Sequence, residues 1–317
     1  MSKPALIIVV PCFNEEEILP QTNKRLLALL KEMTEAGKIT DLSRILYVDD
    51  GSRDRTWELI TTFHAESTSV CGLRLAVNSG QQNAIMAGLE QATAMDGDAT
   101  ITIDADLQDD ISVIPQMLEH YSQGCDIVYG VHKVREQDSF FKRNTAILFY
   151  RFMHFLGVKT IFNHSDFRFM SRQAVEQLCN YRERNLYLRG IVPLIGAKTA
   201  CVYYERQARA AGKSKYPLNR MVNFAIDGIT SFSIRPVRLV LSLGIMFFII
   251  SLPMLVYILY SYFSGRAASG WASLIISVWF VGGCILIGLG IVGEYIGKIY
   301  IEVKNRPRYN IDDKLIK

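Results

Sequence analysis

The apolar positions follow three rhythms along the chain. Ala5 to Val10 is an unbroken run rich in β-branched residues, and Arg44 to Val48, Leu73 to Val77 and Thr100 to Ile103 are short runs of the same kind. Such runs, bounded by polar turns, predict buried strands. Between them, Glu16 to Met33, Trp57 to His64 and Gln82 to Ala94 space their apolar residues three and four apart, as amphipathic helices do. Ser52, in the polar turn Asp49-Asp50-Gly51-Ser52, reads as the N-cap of the second of these helices. Strands alternating with helices predict an α/β domain on a parallel, doubly wound sheet.

The third rhythm is continuous apolarity. No charged residue falls between Leu239 and Phe263, nor between Ala267 and Gly293. The first stretch, as a helix, rises roughly 37 Å, enough to cross a bilayer with some tilt. Pro253 within it is tolerable in a membrane helix. The short link from Ser264 to Gly270 fits a helical hairpin. A pair of helices buried in a soluble core is the competing reading, and two uncharged stretches of this length disfavour it. Arg235 and Arg238 precede the first stretch, Lys298, Lys304, Arg306 and Arg308 follow the second, and only Arg266 lies between. The positive-inside rule therefore places both flanks in the cytoplasm. At the N-terminus, Ala5 to Val10 is too short for a signal-peptide core and Asn14-Glu15-Glu16-Glu17 follows at once, which agrees. Gly288-Leu289-Gly290-Ile291-Val292-Gly293 matches a dinucleotide fingerprint but sits inside an apolar stretch, where glycines serve close helix packing instead.

Composition adds exclusions. The 317 residues are 50% apolar with a formal charge of +4, too small an excess to imply a polyanion partner. Six cysteines (Cys12, Cys71, Cys125, Cys179, Cys201 and Cys284) form no C-x-x-C pair, and five histidines form no H-E-x-x-H pattern. A zinc site or disulfide framework is not expected.

Ligands of doubly wound sheets bind at the carboxyl ends of the strands. Here those ends carry Pro11 to Glu15, then Asp49 and Asp50, then Asp104 and Asp106. In extended chain, Asp104 and Asp106 point to one face, so their carboxylates can converge on one ion. Oxygen-only ligands favour Mg²⁺ or Mn²⁺, which would neutralise a diphosphate. Asp49 or Asp50 suits hydrogen bonding to a nucleobase or ribose, or else turn and cap chemistry. Arg206, Arg209, Lys213 and Lys215, with Gly212 as a hinge, form a basic loop suited to closing over a pyrophosphate or to a membrane surface. Phe141, Thr145, Leu148, Phe152 and Phe155 share one helical face among basic residues, a pattern for the headgroup layer or for ordinary core. Pro217 to Ile234 reads as a second interfacial helix.

Pro11-Cys12-Phe13-Asn14-Glu15-Glu16, Val48-Asp49-Asp50-Gly51-Ser52, Gly80-Gln81-Gln82-Asn83-Ala84 and Asp104-Ala105-Asp106-Leu107-Gln108 together resemble the family 2 glycosyltransferases of GT-A fold. The two apolar stretches, with Gly293-Glu294-Tyr295-Ile296-Gly297 and Asn305-Arg306-Pro307, resemble the polyisoprenyl-phosphate branch, the bactoprenol glucosyltransferases in particular and dolichyl-phosphate mannose synthase more distantly. The resemblance implies a GT-A (Rossmann-like) cytoplasmic domain over residues 1–216, an interfacial segment over 217–237, a transmembrane hairpin over 238–297 and a cytoplasmic tail over 298–317. It implies a nucleotide-sugar site of Pro11, Asn14, Glu15, Asp49, Asp50, Asp104, Gln108, Arg209, Ser214 and Lys215, a metal site of Asp104 and Asp106 for Mg²⁺ or Mn²⁺, and a catalytic aspartate at Asp166. For the lipid phosphate it implies His132, Arg135, Lys142 and Arg143. The family has an arginine where this chain has His132, so Lys133 or Arg135 compensates, or acceptor binding becomes weaker and pH-dependent.

The activity implied is inverting transfer of one sugar, glucose from UDP-glucose, to undecaprenyl or another polyprenyl phosphate at the inner membrane, for cell-envelope glycan modification. UDP-N-acetylglucosamine, UDP-galactose or an aminosugar donor is the alternative. A homo-oligomer, a tetramer among its forms, and a downstream flippase and transferase are the implied partners. A polysaccharide synthase is disfavoured because Trp57, Trp271 and Trp279 follow Thr56, Gly270 and Val278, so no Q-x-x-R-W motif exists. A non-catalytic scaffold would have no reason to keep Asp104, Asp106, Asp166 and Lys215 together.

Overall fold

The computed structural model describes residues 3–106, 108–132, 164–184, 186–205 and 270–316, with part of 237–264. Eight strands form one sheet: β1 (Leu6–Cys12), β2 (Arg44–Asp49), β3 (Val70–Leu75), β4 (Ala99–Thr102), β5 (Ile127–His132), β6 (His164–Ser171), β7 (Thr199–Tyr204) and β8 (Ile311–Leu315). Their order is β7-β5-β6-β4-β1-β2-β3-β8. Among the described residues, the continuous α-helices are α1 (Leu19–Glu35), α2 (Thr56–Glu66), α3 (Gln81–Ala94), α4 (Ile114–Ser122), α5 (Arg172–Cys179), the single-turn α6 (Leu188–Ile191) and α7 (Trp271–Lys304).

Strands β1 to β4 are parallel, with Ile7–Cys12 of β1 matched in step to β2 and Leu6–Val9 to β4. The period-2 side-chain alternation of β1 then sorts its residues to two cores. Leu6, Ile8, Val10 and Cys12 face α1, α2 and α4, meeting Leu26, Leu30, Ile60, Phe63, Ile114 and Met117. Ile7 and Val9 face Ala84 and Ala87 of α3. Both faces are covered, which is why these strands read as unbroken apolar runs.

The sheet is not wholly parallel, contrary to the expectation from strand–helix alternation. β6 lies antiparallel between β4 and β5, and β8 runs antiparallel along β3. The reversal of β6 matters for function. Its start, not its end, lies at the edge where β4 finishes, with Thr102 paired to Arg168. Asp166 therefore arrives beside the acids that follow β4.

Local boundaries shift in explicable ways. The first helix begins at Leu19 with Pro20 in its first turn, rather than at Glu16. Ser52 caps no helix: α2 starts at Thr56, whose N–H is taken by Asp54 Oδ1 at 3.1 Å, while the Ser52 hydroxyl accepts the Asn14 N–H at 2.9 Å. Pro11 lies in β1 beyond the last β4 partner, Val9 with Thr102, so its missing N–H interrupts no ladder bond.

Among the described residues, one stretch, Phe280–Lys304 of α7, is long and apolar enough to cross a membrane, with mean hydropathy 1.8 and 6% of its window buried. Leu286, Ile287, Leu289 and Val303 are exposed along it. The described residues between 237 and 260 are also helical, and Leu241, Ile249, Val256 and Tyr260 among them are exposed. Val240 lies close to Gly288: a Cβ on Gly288 would stand 3.1 Å from Val240 Cγ1. After α7, Asn305 adopts φ +43° and ends the helix. The last turn of α7 and the segment that follows are fastened to the rest of the sheet domain. Arg184 N–H donates to Glu302 Oε1 at 2.6 Å, Arg308 donates to the Tyr181 carbonyl, the Tyr309 hydroxyl donates to Glu90, and β8 joins β3.

Gly88 is where α3 presses on the sheet. A Cβ there would lie 2.3 Å from Val9 Cγ1 and 2.9 Å from Val48 Cγ2. Gly88→Ala should overpack this contact and destabilise the domain by about 1–3 kcal/mol, read by chemical denaturation. An unchanged midpoint would show that α3 can lift from the sheet freely.

Candidate active site

Three loops meet at the carboxyl edge of β1 to β4, and short backbone contacts lock them. Asn14 takes φ +53°, a conformation Asn tolerates better than most residues. Its N–H donates to Ser52 Oγ, and its Oδ1 accepts from Arg53 N–H at 2.9 Å. Glu15 N–H donates to Thr56 Oγ1 at 3.0 Å. The loop after β1 is thus fastened to the loop after β2.

Asp50 performs the next latch. Its Oδ1 accepts from Ser79 N–H at 2.7 Å and its Oδ2 from Gly80 N–H at 2.9 Å. Gly80 caps α3, so a carboxylate satisfies the positive end of that helix. Burial pushes the Asp50 carboxyl above its ordinary range, and the two N–H donors oppose this. Asp49 is fully buried, accepts from Ser52 N–H at 3.2 Å and lies 3.6 Å from Arg74 Nε. Gly51 between them has φ +66°, and a Cβ there would meet Asn78 N at 2.7 Å. Both aspartates carry the turn and cap chemistry that their sequence setting allowed.

The acids gather at the β4 edge. Asp104 Oδ1 accepts from Gln81 Nε2 at 2.8 Å. Burial first, then the charges of Asp109, Asp166 and Asp106, raise the Asp104 carboxyl well above its ordinary value, and Arg189 opposes them. Asp106 Oδ1 accepts from Gln108 N–H at 3.2 Å. Asp109 is buried and accepts from the Tyr204 hydroxyl at 2.5 Å.

Asp166 stands between two guanidiniums. Arg168 Nη2 donates to its Oδ1 at 2.7 Å, while Arg189 donates Nε to Oδ1 at 3.4 Å and Nη2 to Oδ2 at 3.3 Å. Thr102 Oγ1 donates to the Asp166 carbonyl, tying β6 to β4. Arg168 is 2% exposed, and burial lowers its pKa against the opposing pull of Asp166. α6 carries Arg189 and is itself held by the Leu188 N–H donated to Gln82 Oε1 at 2.8 Å.

Asp104 and Asp106 fit a hard divalent cation. Their donors are oxygen, the chemistry such an ion takes, and although burial is the main cause of the raised Asp104 carboxyl, the neighbouring acids add to it and a cation would offset that part. No group of three His, Cys, Asp or Glu among the described residues is placed to enclose an ion. A bound ion here would complete its shell with water and substrate oxygens, as Mg²⁺ commonly does.

Toward the β3 side the same edge opens into a cleft of about 580 Å³, bordered by Phe13, Asn14, Ser52, Arg74, Asn78 and Asp312. His132 ends β5 with its ring edge-on to Tyr204, centroids 4.8 Å apart. It thereby joins the acid cluster through Tyr204 and Asp109. Arg135, Lys142, Arg143, Arg209, Ser214 and Lys215, with the 140–155 and 217–234 segments, lie outside the described residues.

Four contributors were not singled out from sequence: Arg168, Arg189, Gln81 and Tyr204. The i, i+2 spacing of Asp166 and Arg168 on a strand was a readable signal for the first. Arg189 and Tyr204 come from elements whose placement nothing local announces.

A model of glycosyl transferase family 2 matches residues 7–179. A Bacillus subtilis (strain 168) protein described as the uncharacterized glycosyltransferase YkoT is 52% identical, covering 98% of this chain and 92% of its own. The bactoprenol glucosyl transferase of Shigella phage SfII is 40% identical over 96% of each chain. Among solved structures, a Pyrobaculum calidifontis mannosyltransferase in complex with GDP-Man and Mn²⁺ aligns with 96% of this chain and 87% of its own, at 14% identity and TM-score 0.43.

Removing Asp166 leaves the buried Arg168 charge uncompensated, whereas removing Arg168 leaves Asp166 still paired with Arg189. Asp166→Leu should cost about 3–5 kcal/mol in unfolding free energy, and Arg168→Leu less, because Arg189 still pairs with Asp166. The double variant should recover most of that stability while remaining inactive. A double variant no more stable than the singles would show that the pair is not an energetic unit.

Proposed function

Because the chain belongs to glycosyl transferase family 2, we propose that it transfers a single glucose from UDP-glucose to undecaprenyl or a related polyprenyl phosphate. The observation that carries this reading is the full-length likeness to a bactoprenol glucosyl transferase. The 40% identity extends over 96% of this chain, beyond the catalytic domain into the apolar C-terminal region.

The residues divide the work accordingly. The loops fastened by Asn14 and Asp50 border the space for the nucleoside, and Asp104 and Asp106 lie where the diphosphate would end. A divalent ion held by Asp104 and Asp106 would supply neutralisation of the leaving diphosphate. A phosphate acceptor is already ionised, so it needs little help from a base. Asp166 suits that demand: guanidinium contacts engage its oxygens, and its task is to hold position near the anomeric centre. Direct attack by the lipid phosphate oxygen breaks the bond to the diphosphate and inverts the centre. Positioning and charge complementarity then provide most of the rate.

The acceptor is a membrane lipid, and the C-terminal region is read as its anchor. We take the 239–263 stretch as a first span beside α7, supported by the helical, outward-facing apolar residues described there and by the approach of Val240 to Gly288. Both termini would then face the cytoplasm. His132, Arg135, Lys142 and Arg143 are the candidates for the lipid phosphate.

Purified full-length protein with Mg²⁺ or Mn²⁺, undecaprenyl phosphate and radiolabelled UDP-glucose should move label into the organic phase. Asp106→Ala should abolish that transfer while staying folded and membrane-bound. Label incorporated only from UDP-N-acetylglucosamine or UDP-galactose would replace the sugar. Label entering a growing polymer instead would replace the reaction.

A further inference from the structure

The strand β8 does more than cover a sheet edge. It pairs with β3 as Gly72 with Leu315, Leu73 with Lys314 and Arg74 with Asp313, and then Leu75 with Ile311. Asp312 is skipped by this register, so it is the extra residue of a β-bulge. Bulges re-aim side chains and are frequent beside functional sites. This one brings the Asp312 carboxylate to 3.7 Å from Arg74 Nη1, at the border of the 580 Å³ cleft.

Arg74 has three neighbours that fix its plane. Its Nε lies 3.6 Å from Asp49 Oδ2, its guanidinium 5.7 Å from the centroid of the Trp57 ring, and its far side toward Asp312. Asp49 holds the Ser52 N–H, and Ser52 Oγ holds the Asn14 N–H. A continuous line of contacts therefore joins the tail to the loop after β1. The strand itself is secured by the Ala76 N–H donated to the Asn310 carbonyl at 2.9 Å.

We propose that Asp312 is a positioning residue of the donor site, holding Arg74 as a wall of the cleft that receives the nucleoside end of the substrate. The cleft lies on the β3 side of the latch loops, away from Asp104 and Asp106. A nucleotide with its diphosphate at those acids extends toward it. Phe13, 37% exposed, borders this space together with Asn14 and Asn78. The segment that follows the apolar helix is on this view part of the donor pocket. The inference rests on the transferase reading above.

The test compares full-length Asp312→Ala, Asp312→Glu and Lys314→Ala. Lys314 lies on the same strand, but its ammonium contacts Gln91, at 2.9 Å, and does not border the cleft. The Asp312 side chain is 53% exposed, so its pairing energy is partly screened and the effect is modest. Asp312→Ala should raise the donor KM and the UDP dissociation constant in parallel, by about two- to fivefold. kcat and the lipid KM should stay unchanged, Asp312→Glu should restore the donor values, and Lys314→Ala should leave them at wild type. Unchanged donor values in Asp312→Ala, or an equal loss in Lys314→Ala, overturn the inference. Wild-type protein that binds no UDP by calorimetry overturns the transferase reading itself, which keeps the two failures apart.

Discussion

A guanidinium buried under a group of carboxylates is the interaction on which the site depends. Asp104, Asp106, Asp109 and Asp166 converge on one edge of the sheet, and like charges at such range repel. Arg168 and Arg189 offset that repulsion from below and from the side. Arg168 alone could not remain buried without Asp166, and Asp166 could not stay in place without a partner. Asp104 takes the largest share of this strain, raised first by its burial and then by the neighbouring acids.

This balance follows from the direction of one strand. Were β6 parallel to β4, its first residues would lie at the opposite edge, about 20 Å away for a strand of ordinary length. Running antiparallel, it delivers Asp166 beside the end of β4 and Arg168 one pleat deeper on the same face. The parallel half of the sheet supplies the loops fastened by Asn14 and Asp50, and the reversed strand supplies Asp166 and Arg168. Each half does what its chain direction permits.

The first four strands and three helices were legible because each buried face leaves a period in the sequence. Ala5 to Val10 and Gln82 to Ala94 differ from the observed elements by only a few residues. Asp104 and Asp106 were legible too, since a strand end followed by acids is a local signal. Ser52 was misread because a hydroxyl before a helix looks the same whether it caps that helix or receives an N–H from Asn14, a residue 38 positions away. The reversal of β6, the arrival of Arg189 and the addition of β8 depend on tertiary pairing between distant segments. β8 is the clearest case: Ile-Asp-Asp-Lys-Leu is short and polar, and only an exposed edge at β3 makes it a strand.

That edge also explains why the tail is ordered. An uncovered β3 would present a row of unpaired backbone groups, a liability at the side of any sheet. The chain covers it with its own last strand, and does so immediately after the apolar helix α7. Arg184 and Arg308 bind the junction on both sides, contacting Glu302, Asn305, Tyr181 and Glu90. Few freely rotating residues separate helix from sheet. A rigid junction of this kind sets the tilt of the catalytic edge relative to the axis of α7. If α7 lies in a membrane, the height of Asp166 above the lipid phosphates is fixed by those contacts rather than found by diffusion. For an enzyme whose acceptor is confined to a plane, fixing that height removes one translational search and two rotational ones from the approach to reaction.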